Sequence, residues 1–484
     1  MGSSFRFNPV SRALLFILAV TVWRVVLLAF NGTDLFVDEA QYWFWGQELA
    51  FGYYSKPPMI GWIIRAVTEL SGNDSEFWVR LPAPLFHALT AILIIAVTLR
   101  IRTPLAAAVA GVAYITLPVV SLGSQFIATD TIMLPFFTLA LLAFVVLSQR
   151  RSLFWAIVMG LAIGLGLMSK YAMIYFVGCA ALTAVLFPAM RMSSRDCLSA
   201  ALVAFAVISP NILWNLNNDL TTFQHIADNA KWNGIQFNLT GFVEFFGAQF
   251  GVFGPILFGS YLWICYLTLS RRSDQWSAIL VAVSLPVLFI VTGQSILSRA
   301  YANWAVATYI GATILTVPWL LENYGRLLKI SFGLHIAIAI LLPAASAVPY
   351  SIGYGDRLAF ARVLGRAENS EKIVAITRDA GLKTIVAGHR GVLADLFYRL
   401  KGSGLSVYAA PGSGRARNHY QLKHPYPSSL ENTFLFVTRN PSGPACGNNT
   451  DIRELARWTP ERGVYRGKTH YAFEVMPGCW QDRD

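Results

Sequence analysis

Long apolar runs, separated by short polar or basic stretches, fill the chain up to about position 348. A helix needs about 20 apolar residues to cross a bilayer core. Runs of this kind predict helices over 11–30, 80–99, 104–123, 131–149, 153–169, 172–190, 197–214, 248–269, 275–293, 303–321 and 329–348. That amounts to about eleven crossings, an all-α polytopic membrane bundle over 1–348. From 349 onward the pattern changes. Charged residues return, and Gly and Pro punctuate short elements. Thr384 to Gly388, Leu405 to Ala409 and Thr433 to Thr438 predict strands, and Gly391 to Leu400 predicts a helix. Residues 349–484 therefore read as a small soluble α/β domain. Gly402-Ser403-Gly404 and Gly412-Ser413-Gly414 read as turns, because neither opens a helix that could make it a phosphate loop. No internal repeat is visible.

Composition sharpens this picture. Of 484 residues, 55% are hydrophobic and only 13% charged, against about 25% charged in soluble domains. Mean hydropathy is +0.51. The net charge of +12 does not point to nucleic acid. Arg100 and Arg102, Arg150 and Arg151, Arg191 and Arg195, Arg271 and Arg272, and Arg326 and Lys329 fall in alternate loops, which the positive-inside rule places in the cytoplasm. The N-terminus is then cytoplasmic. The segments 31–79, 124–130, 170–171, 215–247 and 294–302, and the tail from 349, face the other side. The first apolar run lacks a small-residue cleavage site and reads as a retained helix. Five cysteines are too few for a disulfide scaffold, and no Cys/His spacing suggests zinc. Cys446 and Cys479 are the only two in the tail. An extracytoplasmic tail permits a bond between them, which would stabilise it by roughly 3–4 kcal/mol.

Chemistry concentrates between Asp34 and Trp62: DLFVDEAQYWFWGQELAFGYYSKPPMIGW. The acid pair Asp38 and Glu39 is followed by Tyr42, Trp43, Phe44 and Trp45, then by Tyr53, Tyr54, Ser55, Lys56, Pro57 and Pro58. Charges beside a membrane are costly and usually mark a site. The bland alternative is a loop whose aromatics form an interfacial belt. Two prolines stiffen the backbone that presents Lys56. Further polar groups lie on the same predicted side. Asp130 opens a helix, where it either caps or serves a site. Lys170 and Tyr171 sit between two apolar runs, where a lysine either snorkels or binds an anion. Arg299, Tyr301, Asn303 and Trp304 open the tenth run. The segment 215–247 holds Asn215, Asp219, Phe223, His225, Asp228, Asn229, Lys231 and Trp232, a polar and aromatic set that suits a sugar or lipid cleft. A lone His such as His225 is more often structural than catalytic.

The Asp34–Trp62 stretch resembles the first extracytoplasmic loop of the GT-C glycosyltransferases that use polyprenyl-phosphate sugars, among them protein O-mannosyltransferases and lipid A aminoarabinose transferases. Asp38, Glu39, Tyr53, Tyr54, Lys56, Pro57 and Pro58 match that group's pattern, and the combination is more specific than a DE or a KPP alone. The aminoarabinose enzymes often carry Glu where this chain has Ser55. With the later SKYA, the chain looks closer to rhizobial-type transferases that add galacturonic acid to lipopolysaccharide core or lipid A. The resemblance implies a periplasmic active site on a bacterial inner-membrane protein. It also implies a donor phosphate held by Lys56, Lys170, Arg299 and Tyr301, and a second acid, Asp130, facing the motif acid.

The implied reaction is inverting transfer of a sugar from polyprenyl phosphate to a hydroxyl of a lipid-borne acceptor, lipopolysaccharide or lipid A. A hydroxyl is a poor nucleophile, so a carboxylate base is required, and Asp38 is the candidate. Glu39 and Asp130 would orient acceptor or sugar. Tyr53, Tyr54, Tyr171, His225, Asn303 and Trp304 would line the substrate site. No metal constellation is visible, although the acid pair could hold a divalent ion. Alternatives are aminoarabinose or mannose transfer to lipid A or protein, a lipid-linked-sugar flippase, and a silent lipid-binding scaffold.

Overall fold

The computed structural model of the chain describes residues 8–230, 237–355, 357–412, 414–427, 429–446 and 451–480, and the side chains of Asn229 and Ala230 are not among those described. Lys231, Trp232 and Ser413, named above, lie outside the described residues. Contacts divide the chain into two compact units, and the division does not follow a single cut. The first unit holds residues up to 29, 56–60 and 80–344. The second holds 30–55, 61–79 and everything from 345.

The first unit is helical. Six helices among the described residues are long and apolar enough to cross a membrane: Pro9–Leu28, Glu76–Thr98, Thr129–Gln149, Ser194–Leu216, Gln275–Leu297 and Gly325–Ala347. A bent pair, Leu239–Val252 and Pro255–Leu269, makes a seventh if it counts as one span. All eleven predicted runs are helical, yet the others are short, bent or broken, so eleven full crossings is not what the helices give. The run 248–269 is not one helix. Gly254 has φ +92° and Pro255 starts a new helix, and the two axes meet at 112°. The run 104–123 breaks at Leu117, because Pro118 has no N–H to continue the ladder. The carbonyl of Ile115, freed at that break, accepts a 2.7 Å bond from Arg24 of the first helix. Arg24 also reaches Ser121 (2.9 Å) and Ser124 (3.1 Å) and is fully buried. The buried guanidinium is thus held by the kink between Pro104–Thr116 and Pro118–Gly123, with its Nε left unpaired among the described residues. Close helix packing rests on small residues. A Cβ at Gly160 would lie 2.5 Å from Ala200 O, and one at Gly164 would lie 2.5 Å from Val207 Cβ, so these glycines set the approach of Leu153–Ser169 to Ser194–Leu216.

The second unit is α/β. Its sheet has the strand order 406–409, 384–387, 434–438, 470–475, 452–458. The first three strands are parallel, and the last two are antiparallel to their neighbours. The strand Thr384–Ala387, parallel to both of its neighbours, is buried throughout, as a parallel strand covered on both faces should be. Helices Arg366–Asp379 and Arg390–Arg399 accompany it. Cys446 and Cys479 are joined by a disulfide in this unit. The segment predicted as loop 31–79 contains two helices, Val37–Gln47 and Met59–Ser71. Gly46 and Gly61 let them touch: a Cβ at Gly46 would come within 2.8 Å of the Gly61 carbonyl.

Candidate active site

Polar clusters form in each unit, and each is built from residues far apart in sequence. In the second unit, Asp38 stands in the first turn of Val37–Gln47, where the positive end of a helix favours a carboxylate. Its Oδ1 accepts a 2.5 Å bond from Arg390 Nη2. Arg390 Nε donates to Gln41 Oε1 at 2.8 Å. Both charged side chains are 40% exposed. Burial works against the charge of Arg390, but Asp38 outweighs it and raises the guanidinium pKa. Glu39 behaves differently. It is 1% exposed, and its Oε2 accepts the Phe36 N–H at 2.9 Å, so it closes the helix start.

Around this pair the unit is clamped by ion pairs that sequence reasoning missed. Asp34 accepts from the Arg366 backbone N–H (2.8 Å) and from Arg399 (2.7 Å), which also reaches Glu76. Asp74 binds Lys401 (2.5 Å) and Trp43 Nε1 (2.9 Å). Burial alone would raise the Asp74 pKa, but these two partners hold it low. The aromatic run is core rather than belt. Tyr42, Trp43, Phe44 and Trp45 are all buried, Trp43 meeting Tyr398 edge-on and Phe44 packing on Phe397. Tyr53 stacks on Trp45, and its hydroxyl donates to the Trp45 carbonyl at 2.7 Å. Tyr54 donates to the Ala416 carbonyl at 3.1 Å. Both tyrosines are buried struts of the loop.

In the first unit, Asp130 lies in the first turn of Thr129–Gln149, but Ala128 holds the cap position. Its carboxylate instead takes Lys170 Nζ at 2.7 Å and Asn303 Nδ2 at 3.0 Å. The sequence-predicted Asp130, Lys170 and Asn303 thus form one cluster. Tyr171 donates to Asn211 at 2.6 Å, accepts from Asn215 and stacks on Phe223. Arg299 lies over the Tyr301 ring at 4.8 Å, and Tyr301 meets Trp304. His225 lies on the helix Thr221–Ala230, half-buried. Lys56 is half-buried in this unit. Among the described residues no three His, Cys, Asp or Glu converge as a metal site.

Comparison with known proteins adds the lineage. Lipid A galacturonosyltransferase RgtD of Rhizobium johnstonii is 42% identical over 468 residues, 96% of this chain and 98% of that protein. The chain belongs to the GT-C glycosyltransferases that use polyprenyl-phosphate sugars. Lipopolysaccharide core galacturonosyltransferase RgtA of the same organism is 31% identical over 216 residues, 44% of this chain and 43% of that one. The family described as dolichyl-phosphate-mannose-protein mannosyltransferase matches residues 55–214. ArnT from Cupriavidus metallidurans, solved apo and bound to undecaprenyl phosphate, superposes with a TM-score of 0.66 over 96% of this chain and 98% of that chain. At 12% identity this shows the GT-C fold. This GT-C enzyme is therefore a multi-pass membrane glycosyltransferase, and the flippase and silent-scaffold alternatives fall away.

Proposed function

We propose that the enzyme moves galacturonic acid from an undecaprenyl-type phosphate to a hydroxyl of lipid A or lipopolysaccharide core, at the periplasmic face of the bacterial inner membrane. The observation that carries this is the 42% identity to RgtD along nearly the whole length of both chains. Asp38 is the general base. It is the exposed member of the acid pair, and Arg390 takes only Oδ1, leaving Oδ2 for a proton. The acceptor oxygen bonds to C1 of the sugar as the C1–O bond to phosphate breaks. Its proton passes to Asp38, and the bonding pair goes to the phosphate oxygen. C1 inverts in this single displacement. Fixed cations stabilise the charge that develops on the leaving phosphate. Lys56 fills that role, with Arg299 and Lys170 beside it in function, Lys170 being held by Asp130 and Asn303.

Mass spectrometry of lipid A from a deletion strain, complemented in turn by each variant, tests this. The deletion is expected to remove galacturonate. Asp38→Asn should lower turnover about a hundredfold to ten-thousandfold while the lipid still binds. Lys56→Ala should weaken donor binding and turnover together, with partial rescue by Lys56→Arg. Undiminished galacturonate in the deletion strain, or near-normal transfer by well-folded Asp38→Asn, would overturn the assignment.

A further inference from the structure

The cation beside Asp38 is more exposed than the other two arginine clamps of its unit. Arg399, which clamps Asp34, is 26% exposed and its partner 12%. Arg366, which clamps Asp395, is 5% exposed and its partner 3%. Arg390 and Asp38 are each 40% exposed. The arm of Arg390 is nonetheless fixed. It starts the helix Arg390–Arg399, and its Nε is held by Gln41, which is 2% exposed. Among the described residues, its Nη1 has no hydrogen-bond partner. One edge of the fork is anchored, therefore, and on the Nη1–Nη2 edge of this part-exposed side chain a carboxylate oxygen holds one of the two corners.

That edge matches a carboxylate in shape and charge. We propose that Arg390 is the residue that recognises the C6 carboxylate of the transferred uronic acid, trading its hold on Asp38 for the sugar. The inference rests on the proposed reaction, in which Asp38 is the base. An acceptor hydroxyl must come within about 3 Å of its base, and the sugar C1 must lie about 3–3.5 Å from that oxygen. C6 hangs from C5, which joins C1 through the ring oxygen alone. The sugar carboxylate therefore lies within a side chain's reach of Asp38, where Arg390 already stands. A neutral hexose offers only a hydroxymethyl group there and leaves the guanidinium on Asp38. An amino sugar brings a like charge. Binding of the correct donor also takes the guanidinium off Asp38 and so makes that carboxylate a stronger base, and donor choice and base strength are one event.

Equilibrium binding to the purified full-length protein tests this, in an Asp38→Asn background that blocks turnover. The probes are undecaprenyl phosphate alone, its galacturonic acid derivative and its galactose derivative. Asp38→Asn is expected to bind the galacturonate lipid at least tenfold more tightly than the galactose lipid. Adding Arg390→Gln should abolish that preference and leave bare undecaprenyl phosphate bound as before, and Arg390→Lys should keep part of the preference. A preference that survives Arg390→Gln, or an equal loss for both sugar lipids, would overturn the inference and leave the reaction standing. Failure of all three lipids to bind Asp38→Asn would overturn the proposed reaction as well.

Discussion

At the scale of single residues, the acid pair shows how neighbouring carboxylates take different work from their surroundings. Asp38 is open and paired to a cation, whereas Glu39 is buried on a backbone N–H. Sequence made them look alike, because spacing does not say which side of a first turn meets solvent. Arg390, Arg399 and Arg366 could not be found from the sequence, since a lone arginine in a polar tail has no pattern until its partner is known. A second residue-level consequence concerns acid. His419 is 4% exposed among the rings of Phe44, Trp45 and Tyr53, and burial pushes its pKa down to about 3. His470, 1% exposed, is pushed down to about 4, again mainly by burial. Each stays neutral in the fold but protonates near pH 6.5 when unfolded. Their contribution is complete above about pH 6.5 and is lost as pH falls toward the folded values, about 2 kcal/mol each by pH 5. Asp395, pushed up to about 6 by burial, works in the opposite sense and offsets about 1.4 kcal/mol between pH 7 and 5. The melting temperature should fall from pH 7 to pH 5, and His419→Phe, which keeps the ring without the proton site, should shrink that fall. An unchanged pH slope in His419→Phe would refute the account.

At the scale of elements, apolar periodicity was the reliable signal and continuity was not. Every predicted apolar run is helical, whole or broken, because in lipid the helix satisfies its own backbone. The breaks depend on one residue each. Gly254 is the clearest: φ +92° is strained for any residue with a Cβ, and a Cβ there would lie 2.1 Å from His335 Nε2. Gly254→Ala should cost about 1–3 kcal/mol in backbone strain, read as a lower melting temperature in detergent. Adding His335→Ala should recover only the part due to the clash. Full stability in the single variant would mean the bend does not need glycine. In the tail, the predicted strands and the helix near 391–400 all form, because their apolar runs are buried. The strand Ile452–Trp458 was not legible, since IRELARW carries charge at an exposed edge and is interrupted by a bulge. The helix Arg366–Asp379 was missed for a similar reason: RAENSEKIVAITRD is mostly polar, and its start is set by Gly365 in the left-handed region rather than by an N-cap side chain.

At the scale of the whole molecule, hydropathy and charge made the membrane class and the polar tail plain, and the motif made the family plain. What they did not show is that the motif segment up to Ser55 shares one compact unit with the tail, while Lys56–Ile60 belong to the other. A reporter enzyme fused after Asp484 should behave as periplasmic, as the alternating basic loops require. A cytoplasmic result would put the tail and the Asp38 segment on the wrong side of the membrane. The pairing of Asp38 with Arg390 also has a cost in time. The two are 352 positions apart, so at 5–20 residues per second a ribosome needs about 20–70 s to supply the second after the first. Through that interval every membrane helix after the first is being made while the base waits without its arginine. A chain cut between Ala347 and Arg390 carries the complete motif and all its spans, yet its base never receives the partner.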